Sequence, residues 1–240
     1  MCGIAGFIDT QLSADAKRDL THRMLCQITH RGPEASNVFI DGPVSLGHNR
    51  LKIIDLSDAA NQPFEYEDVI IIFNGEIYNY IEVRAELEKH GYKFRTHGDT
   101  EVICAAYKHY GDSCVKHFMG MWALAIWDKT KQRLFMSRDR FGIKPFYYFM
   151  QGQNLYFGSE YKTLKEVPSF DKTLNDEQVK RGTVLFGQAK TAGLVVQVVL
   201  QRDVGARQVG RAGRLVVVAT ALVAGRGVAS PLAVVGRHLH

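Results

Sequence analysis

An α+β fold dominated by antiparallel strands is predicted by three features of the sequence. Short apolar segments come in pairs with brief polar links: MWALAIWD and RLFMSRD flank residues 129–132, and PFYYFM and NLYFGS flank residues 151–153. Each pair reads as a β-hairpin. YIEVRAELEKHG and TEVICAAYKHYG are amphipathic stretches closed by glycine, which commonly follows the last helical residue, so they read as two consecutive helices. Many strands with few helices favour α+β over a doubly wound parallel sheet.

The remaining elements follow from the start of the chain. IAGFID opens it as an apolar segment. Leu20, Met24, Leu25 and Ile28 recur at three- and four-residue spacings, which predicts a helix from Ser13 or Ala14 that Gly32-Pro33 stops. SNVFIDG and VSLGHNRLKIID read as strands joined by the turn Asp41-Gly42-Pro43. VIIIF, residues 69–73, is a continuous apolar run and fits a strand covered on both faces.

With 240 residues, 46% of them hydrophobic and 23% charged, the chain has the composition of a soluble globular protein, which excludes a fibrous or wholly disordered one. The length allows one large domain or one domain with an appendage. Residues 1–188 read as one unit. From Ala189 the chain is rich in Val, Ala, Gly and Arg and has no Phe, Tyr or Trp. These residues have largely G- and C-rich codons, as a shifted reading frame in a GC-rich gene would give, so 189–240 is expected to be an irregular tail. The net charge of +5 resides there, leaving the main body close to neutral. Arginines without aromatic stacking partners predict no specific nucleic-acid binding. LVVVATALVAG, cut off by Arg226, is shorter than the roughly 20 residues of a membrane span.

Four cysteines are too few for a disulfide framework, and the N-terminus lacks a signal-peptide pattern, so a reducing, cytoplasmic setting is expected. Cys at position 2 excludes myristoylation. There is no P-loop, GxGxxG, HExxH or paired CxxC, hence no support for phosphate cradling or a metal site. His238-Leu239-His240 reads as tail.

Cys2 is the first chemical signal. Methionine is readily trimmed before a small residue, and Cys2 would then carry both a thiol and the chain's free amine. An α-amino group with a pKa of about 7.7–8.0 is partly neutral in a cell and can accept the thiol proton. Position alone does not make a nucleophile, but the surrounding motifs do more. MCGIAGFID, HRGPEAS (30–36), LGHNRLKIIDLS (46–57), QPF (62–64), FNGEIYNY (73–80), GDTEV (98–102) and SRDRFGIKPFYY (137–148) occur in order. Met1 to about Gln188 thereby resembles the class II glutamine amidotransferase domain of the glutamine-dependent asparagine synthetase family.

The resemblance implies an N-terminal-nucleophile hydrolase fold, a four-layer αββα sandwich of two antiparallel sheets. It also implies that the Cys2 thiolate attacks the glutamine carboxamide, with the Asn74 side chain and Gly75 backbone N–H as oxyanion donors. Taken alone, Asn74-Gly75 reads equally well as a hairpin turn. Arg50 matches the arginine for the substrate carboxylate. Asp99 matches the acid for its ammonium, with Glu76 a second candidate and the backbone near Ile53 and Ile54 completing the wall.

Cys26 and Cys104 read as buried packing residues within apolar helical stretches, and Cys114 has no distinguishing neighbours. His30 and His48 read as structural, because the resemblance makes the α-amine the base. Arg138, Asp139, Gly142, Lys144 and Pro145 read as a fold-forming segment. The ATP- and Mg-dependent synthetase domain of the family carries an SGGxDS-type loop, which does not occur in this sequence. The expected activity is therefore glutamine hydrolysis without a cofactor, with a synthetase domain or a second copy as partner. The alternative is a non-catalytic fragment that only binds glutamine or a partner.

Overall fold

The computed structural model describes residues 1–170 and three two-residue strands farther on, Val198–Val199, Val218–Ala219 and Leu232–Ala233. Apart from those strands, the expectation of an irregular tail falls outside the described residues.

Two five-stranded antiparallel sheets form the centre of the molecule. The first has the order β2 (Ala35–Asp41), β3 (Val44–Arg50), β1 (Gly3–Ile8), β9 (Asn154–Gly158), β8 (Tyr147–Gln151). The second runs β10 (Val198–Val199), β7 (Arg133–Arg138), β6 (Gly120–Asp128), β5 (Val69–Ile77), β4 (Phe64–Tyr66). A separate two-stranded pair joins β11 (Val218–Ala219) to β12 (Leu232–Ala233).

Period-two alternation assigns every strand residue to a layer. On β5, Ile70 and Ile72 join Ile4, Leu46, Trp127, Met136 and Phe157 in a core between the sheets. Val69, Ile71 and Phe73 face the other way, onto α2 (Tyr80–Lys89) and α3 (Asp99–Tyr110), with Leu87, Val102 and Tyr107. On β1, Ala5 and Phe7 turn outward to Leu20, Met24, Leu25 and Ile28 of α1 (Ala14–Cys26) and the turn after it, and to Leu164 of α4 (Tyr161–Leu164). Helices thus cover the outer face of each sheet, giving four layers, αββα. The VIIIF run is apolar throughout because both of its faces are buried.

The hairpins, α2 and α3 stand where the sequence placed them, whereas α1 ends at Cys26, before Ile28, and a separate short turn, Thr29–Arg31, leads to Gly32. Ser13 starts α1 by accepting a hydrogen bond from Ala16 N at 3.2 Å, a cap worth about 1 kcal/mol. Two further expectations are corrected. The segment LKIID does not continue β3, which ends at Arg50. Cys26 is exposed, not buried, because it lies two residues after Met24 and so about 200° around the helix from the packed face. Cys104 and Cys114 are buried. No helix among the described residues is long and apolar enough to cross a membrane.

Candidate active site

Cys2 immediately precedes β1, the central strand of the first sheet, and its Sγ sits against the main chain of Leu51. The thiol accepts from Leu51 N at 3.4 Å and reaches Leu51 O at 3.5 Å. Burial pushes the thiol pKa up, opposed by the Leu51 hydrogen bond and the nearby Arg50 charge. A thiol held protonated in this way requires a neighbouring base before it can act as a nucleophile.

The second sheet supplies the opposite wall. Asn74-Gly75 is not a turn: both residues lie inside β5, paired with Ala123 and Trp122 of β6. Trp122 directs its main chain away from β5, donating N–H to Asp139 Oδ2 at 3.2 Å and accepting from Asp139 N at 2.8 Å. Gly75 therefore occupies a non-hydrogen-bonded position of the β5–β6 ladder, and its N–H points to the opposite edge of β5. Phe73 and Ile77, two residues away on either side, share that edge. Phe73 N donates to Gln62 Oε1 at 2.6 Å and Ile77 N to Asp99 Oδ2 at 2.9 Å. Between them the Gly75 N–H faces a small cavity of about 70 Å³. A side chain at Gly75 would strike Met121 O on one side and Phe73 Cε2, 2.6 Å away, on another.

Arg50 ends β3 and is buried. Its Nη1 donates to Ser57 O at 2.7 Å and Asn61 Oδ1 at 2.6 Å, and its Nη2 to Asp55 O. These bonds fold residues 51–61 into a loop over the cavity. They leave the Nε–H and one Nη2 hydrogen, neighbouring donors suited to a carboxylate. Asp55 steadies the same loop by accepting from Ser57 N and, across the cleft, from His97 N.

Asp99 begins α3 and is buried. Burial raises its pKa to about 6, with Glu76 adding to the rise and the Ile77 N–H opposing it. The carboxyl has no ion-pair partner among the described residues. A ligand ammonium would supply one.

Of the residues expected at the site, Cys2, Arg50, Ile53, Ile54, Gly75 and Asp99 line this one cavity, together with Leu51, Gln62, Gly98 and Thr100. Asn74 and Glu76 are not among the lining residues. Glu76 is half-buried beside Asp99. The Asn74 carboxamide lies against the Cys2 main chain. Oriented to satisfy its neighbours, it donates to Cys2 O at 3.1 Å and accepts from Arg31 Nη2 at 3.3 Å. His48 is fully buried with its pKa lowered to about 3 by desolvation, and its Nε2 contacts Phe73 O at 3.2 Å. It is thus neutral and structural.

Sequence reasoning passed over Arg31 and Gln62. Arg31 Nε donates to Cys2 O at 3.0 Å. Gln62 accepts from Phe73 N and donates to Thr100 Oγ1 at 3.3 Å. Both stand inside quoted motifs, HRGPEAS and QPF, and that was the available signal. Asp139 shows why SRDRFGIKP is fold-forming: it also accepts from Phe141, Ile143 and Lys144 N.

A four-layer αββα sandwich with a cysteine at position 2, directly before the central strand and in a cleft between the sheets, has the fold of the N-terminal-nucleophile hydrolases. The solved glutamine phosphoribosylpyrophosphate amidotransferase from B. subtilis shares the fold, with a TM-score of 0.59 at 20% identity over 69% of this chain and 43% of that one. A profile of the glutamine amidotransferase domain matches residues 1–207, and the chain belongs to that family. Asparagine synthetase (glutamine-hydrolyzing) 1 of Bacillus subtilis (strain 168) is 45% identical over 168 residues, which cover 68% of this chain and 26% of that protein. Amidase chry2 of Gibberella zeae is 40% identical over 176 residues, covering 68% and 26%. The chain spans about a quarter of the length of these curated relatives. It is homologous to the glutaminase part of the glutamine-hydrolysing synthetases.

Proposed function

We propose that this chain hydrolyses free glutamine to glutamate and ammonia, with Cys2 as nucleophile once Met1 has been removed. The observation that carries the proposal is the convergence of a thiol, an unclaimed backbone N–H, an arginine fork and an unpaired carboxylate on one cavity. Arg50 takes the α-carboxylate of glutamine and Asp99 the α-ammonium, with Glu76 adding negative charge nearby. Ile53 and Ile54 form the wall of the loop over the side chain. Substrates lacking either charge are rejected because they leave a buried charge unpaired.

The chemistry then needs one base and one oxyanion site. The freed Cys2 amine takes the thiol proton, and the thiolate adds to the carboxamide carbon. The negative oxygen is met by the Gly75 N–H and by the Asn74 amide, which carries a second N–H besides the one held by Cys2 O. Collapse expels ammonia, which receives the proton from the amine, and leaves a γ-glutamyl thioester. Water, deprotonated by the same amine, hydrolyses the thioester to glutamate and restores the thiol. Each step uses only residues of this chain.

The ammonia is destined for an acceptor activated by a synthetase domain of the kind fused in the relatives, where ATP and Mg would act. The asparagine synthetase relative favours aspartate as that acceptor. We place the reaction in the cytoplasm, consistent with three free cysteines besides Cys2. Intact mass and N-terminal sequencing, followed by assay of glutamate release, test the proposal. The processed wild type should be active and Cys2→Ala folded but inactive. Equal activity in the two proteins would refute it.

A further inference from the structure

The residue that becomes the chain terminus needs an anchor of its own. Chain ends fray unless tied down, and removal of Met1 leaves Cys2 held only by what grips its carbonyl and thiol. The carbonyl is gripped by Arg31 Nε at 3.0 Å and by the Asn74 amide. Arg31 is itself a buried cation, its side chain 8% exposed, and its ion-pair partner is Glu160, whose Oε1 accepts from Arg31 Nη1 at 3.1 Å.

Glu160 is well placed for that duty. It directly follows Ser159, which clamps the next residue pair of β1: Ile4 N donates to Ser159 Oγ at 2.9 Å, and Ser159 N donates to Ile4 O at 2.8 Å. The carboxylate is also bound by His30 at 2.8 Å and by Lys162 at 3.1 Å. Burial works against its charge, but the hydrogen bonds from Arg31, Lys162 and His30 prevail and lower its pKa to about 2, so it is ionised throughout the working pH range.

We propose that Glu160 is a positioning residue for the glutaminase reaction, fixing the Arg31 guanidinium and through it the Cys2 carbonyl, an inference that rests on the proposed function of this site. Glu160 is not among the residues lining the substrate cavity, so its effect falls on the geometry of the nucleophile rather than on glutamine binding. Its charge also balances the Arg31 guanidinium that grips the Cys2 carbonyl.

The test compares processed wild type, Cys2→Ala, Glu160→Gln and Glu160→Asp for glutamate release and for the rate at which iodoacetamide alkylates Cys2, read by peptide mapping. Glu160→Gln should lower kcat roughly 10- to 100-fold, the cost of a misplaced reacting group, with glutamine KM nearly unchanged and slower alkylation of Cys2. Glu160→Asp, which keeps the charge, should recover part of kcat. Wild-type kcat in Glu160→Gln, a loss appearing mainly in KM, or an Asp variant no better than Gln would overturn the proposal. Should Glu160→Gln fail to fold, Arg31→Met/Glu160→Met, which strands no buried charge, replaces it, with the same kcat loss expected and wild-type kcat contradicting. A wild type that releases no glutamate fails the functional reading instead, and the alkylation rates still report whether Glu160 positions Cys2.

Discussion

Gly75 lies opposite Trp122 in the β5–β6 ladder, yet the two exchange no main-chain hydrogen bond, because Asp139 takes both the N–H and the carbonyl of Trp122. The Gly75 N–H is thereby turned toward the cavity that also holds the Cys2 thiol. The donor proposed for the oxyanion thus arises from ordinary strand alternation, with no special loop. Its rigidity is that of a strand between two packed cores, which suits a preorganised donor.

The crowding around Gly75 gives the first prediction. Its missing side chain faces Met121 O, Phe73 Cε2 at 2.6 Å and Trp122 Cα at 2.8 Å. Gly75→Ala must push β5 from β6, costing roughly 1–3 kcal/mol as overpacking does and displacing the donor. Chemical denaturation should show the loss and steady-state kinetics a fall in kcat. Unchanged stability and kcat would mean that β5 and β6 are spaced differently.

Sequence and structure part company through long-range pairing at the site and through local geometry elsewhere. Cys2, Arg50 and Asp99 were legible because each stands in a motif whose residue types suit a zwitterionic amide. The aim of the Gly75 N–H was not, since it depends on the register that sets Gly75 opposite Trp122 of β6; nor was the Arg31–Glu160 pair, whose members are 129 residues apart. LKIID has the apolar character of a strand, but the Arg50 guanidinium binds the carbonyls of Asp55 and Ser57 and bends it into a loop. Cys26 was misplaced although its helix was read correctly: the spacing of Met24 and Leu25 already puts it on the outer face.

Asp99 predicts opposite effects on binding and stability. Its pKa, raised by burial to about 6 from 3.8, means that the folded protein holds a proton the unfolded chain has released, so stability falls as pH rises from about 4 to 6. Asp99→Asn removes this penalty and should stabilise the ligand-free protein at pH 7 by about 1–3 kcal/mol while raising glutamine KM. In the wild type, KM should climb as pH falls below about 6, because protonated Asp99 cannot pair with an ammonium. Thermal unfolding of the variant across pH, beside wild-type KM profiles, checks both. A destabilised variant with normal KM would remove Asp99 from the substrate pocket.

Arg50 combines a loop anchor with the proposed carboxylate fork. Arg50→Lys keeps the charge but loses the paired geometry, and should raise KM roughly 10- to 100-fold, the worth of one or two hydrogen bonds to a charged group, with a smaller change in kcat. Limited proteolysis should cut the variant faster within residues 51–61. A variant with wild-type KM would place the substrate carboxylate elsewhere.

The central claim, that Cys2 is the nucleophile, is tested most directly by mixing the processed protein with glutamine, quenching in acid within the first turnover and mapping the N-terminal peptide by mass spectrometry. A γ-glutamyl group is expected on Cys2, removed by hydroxylamine and absent from Cys2→Ala. Turnover of glutamine with no adduct at Cys2, or with an adduct at Cys26, Cys104 or Cys114, would contradict it.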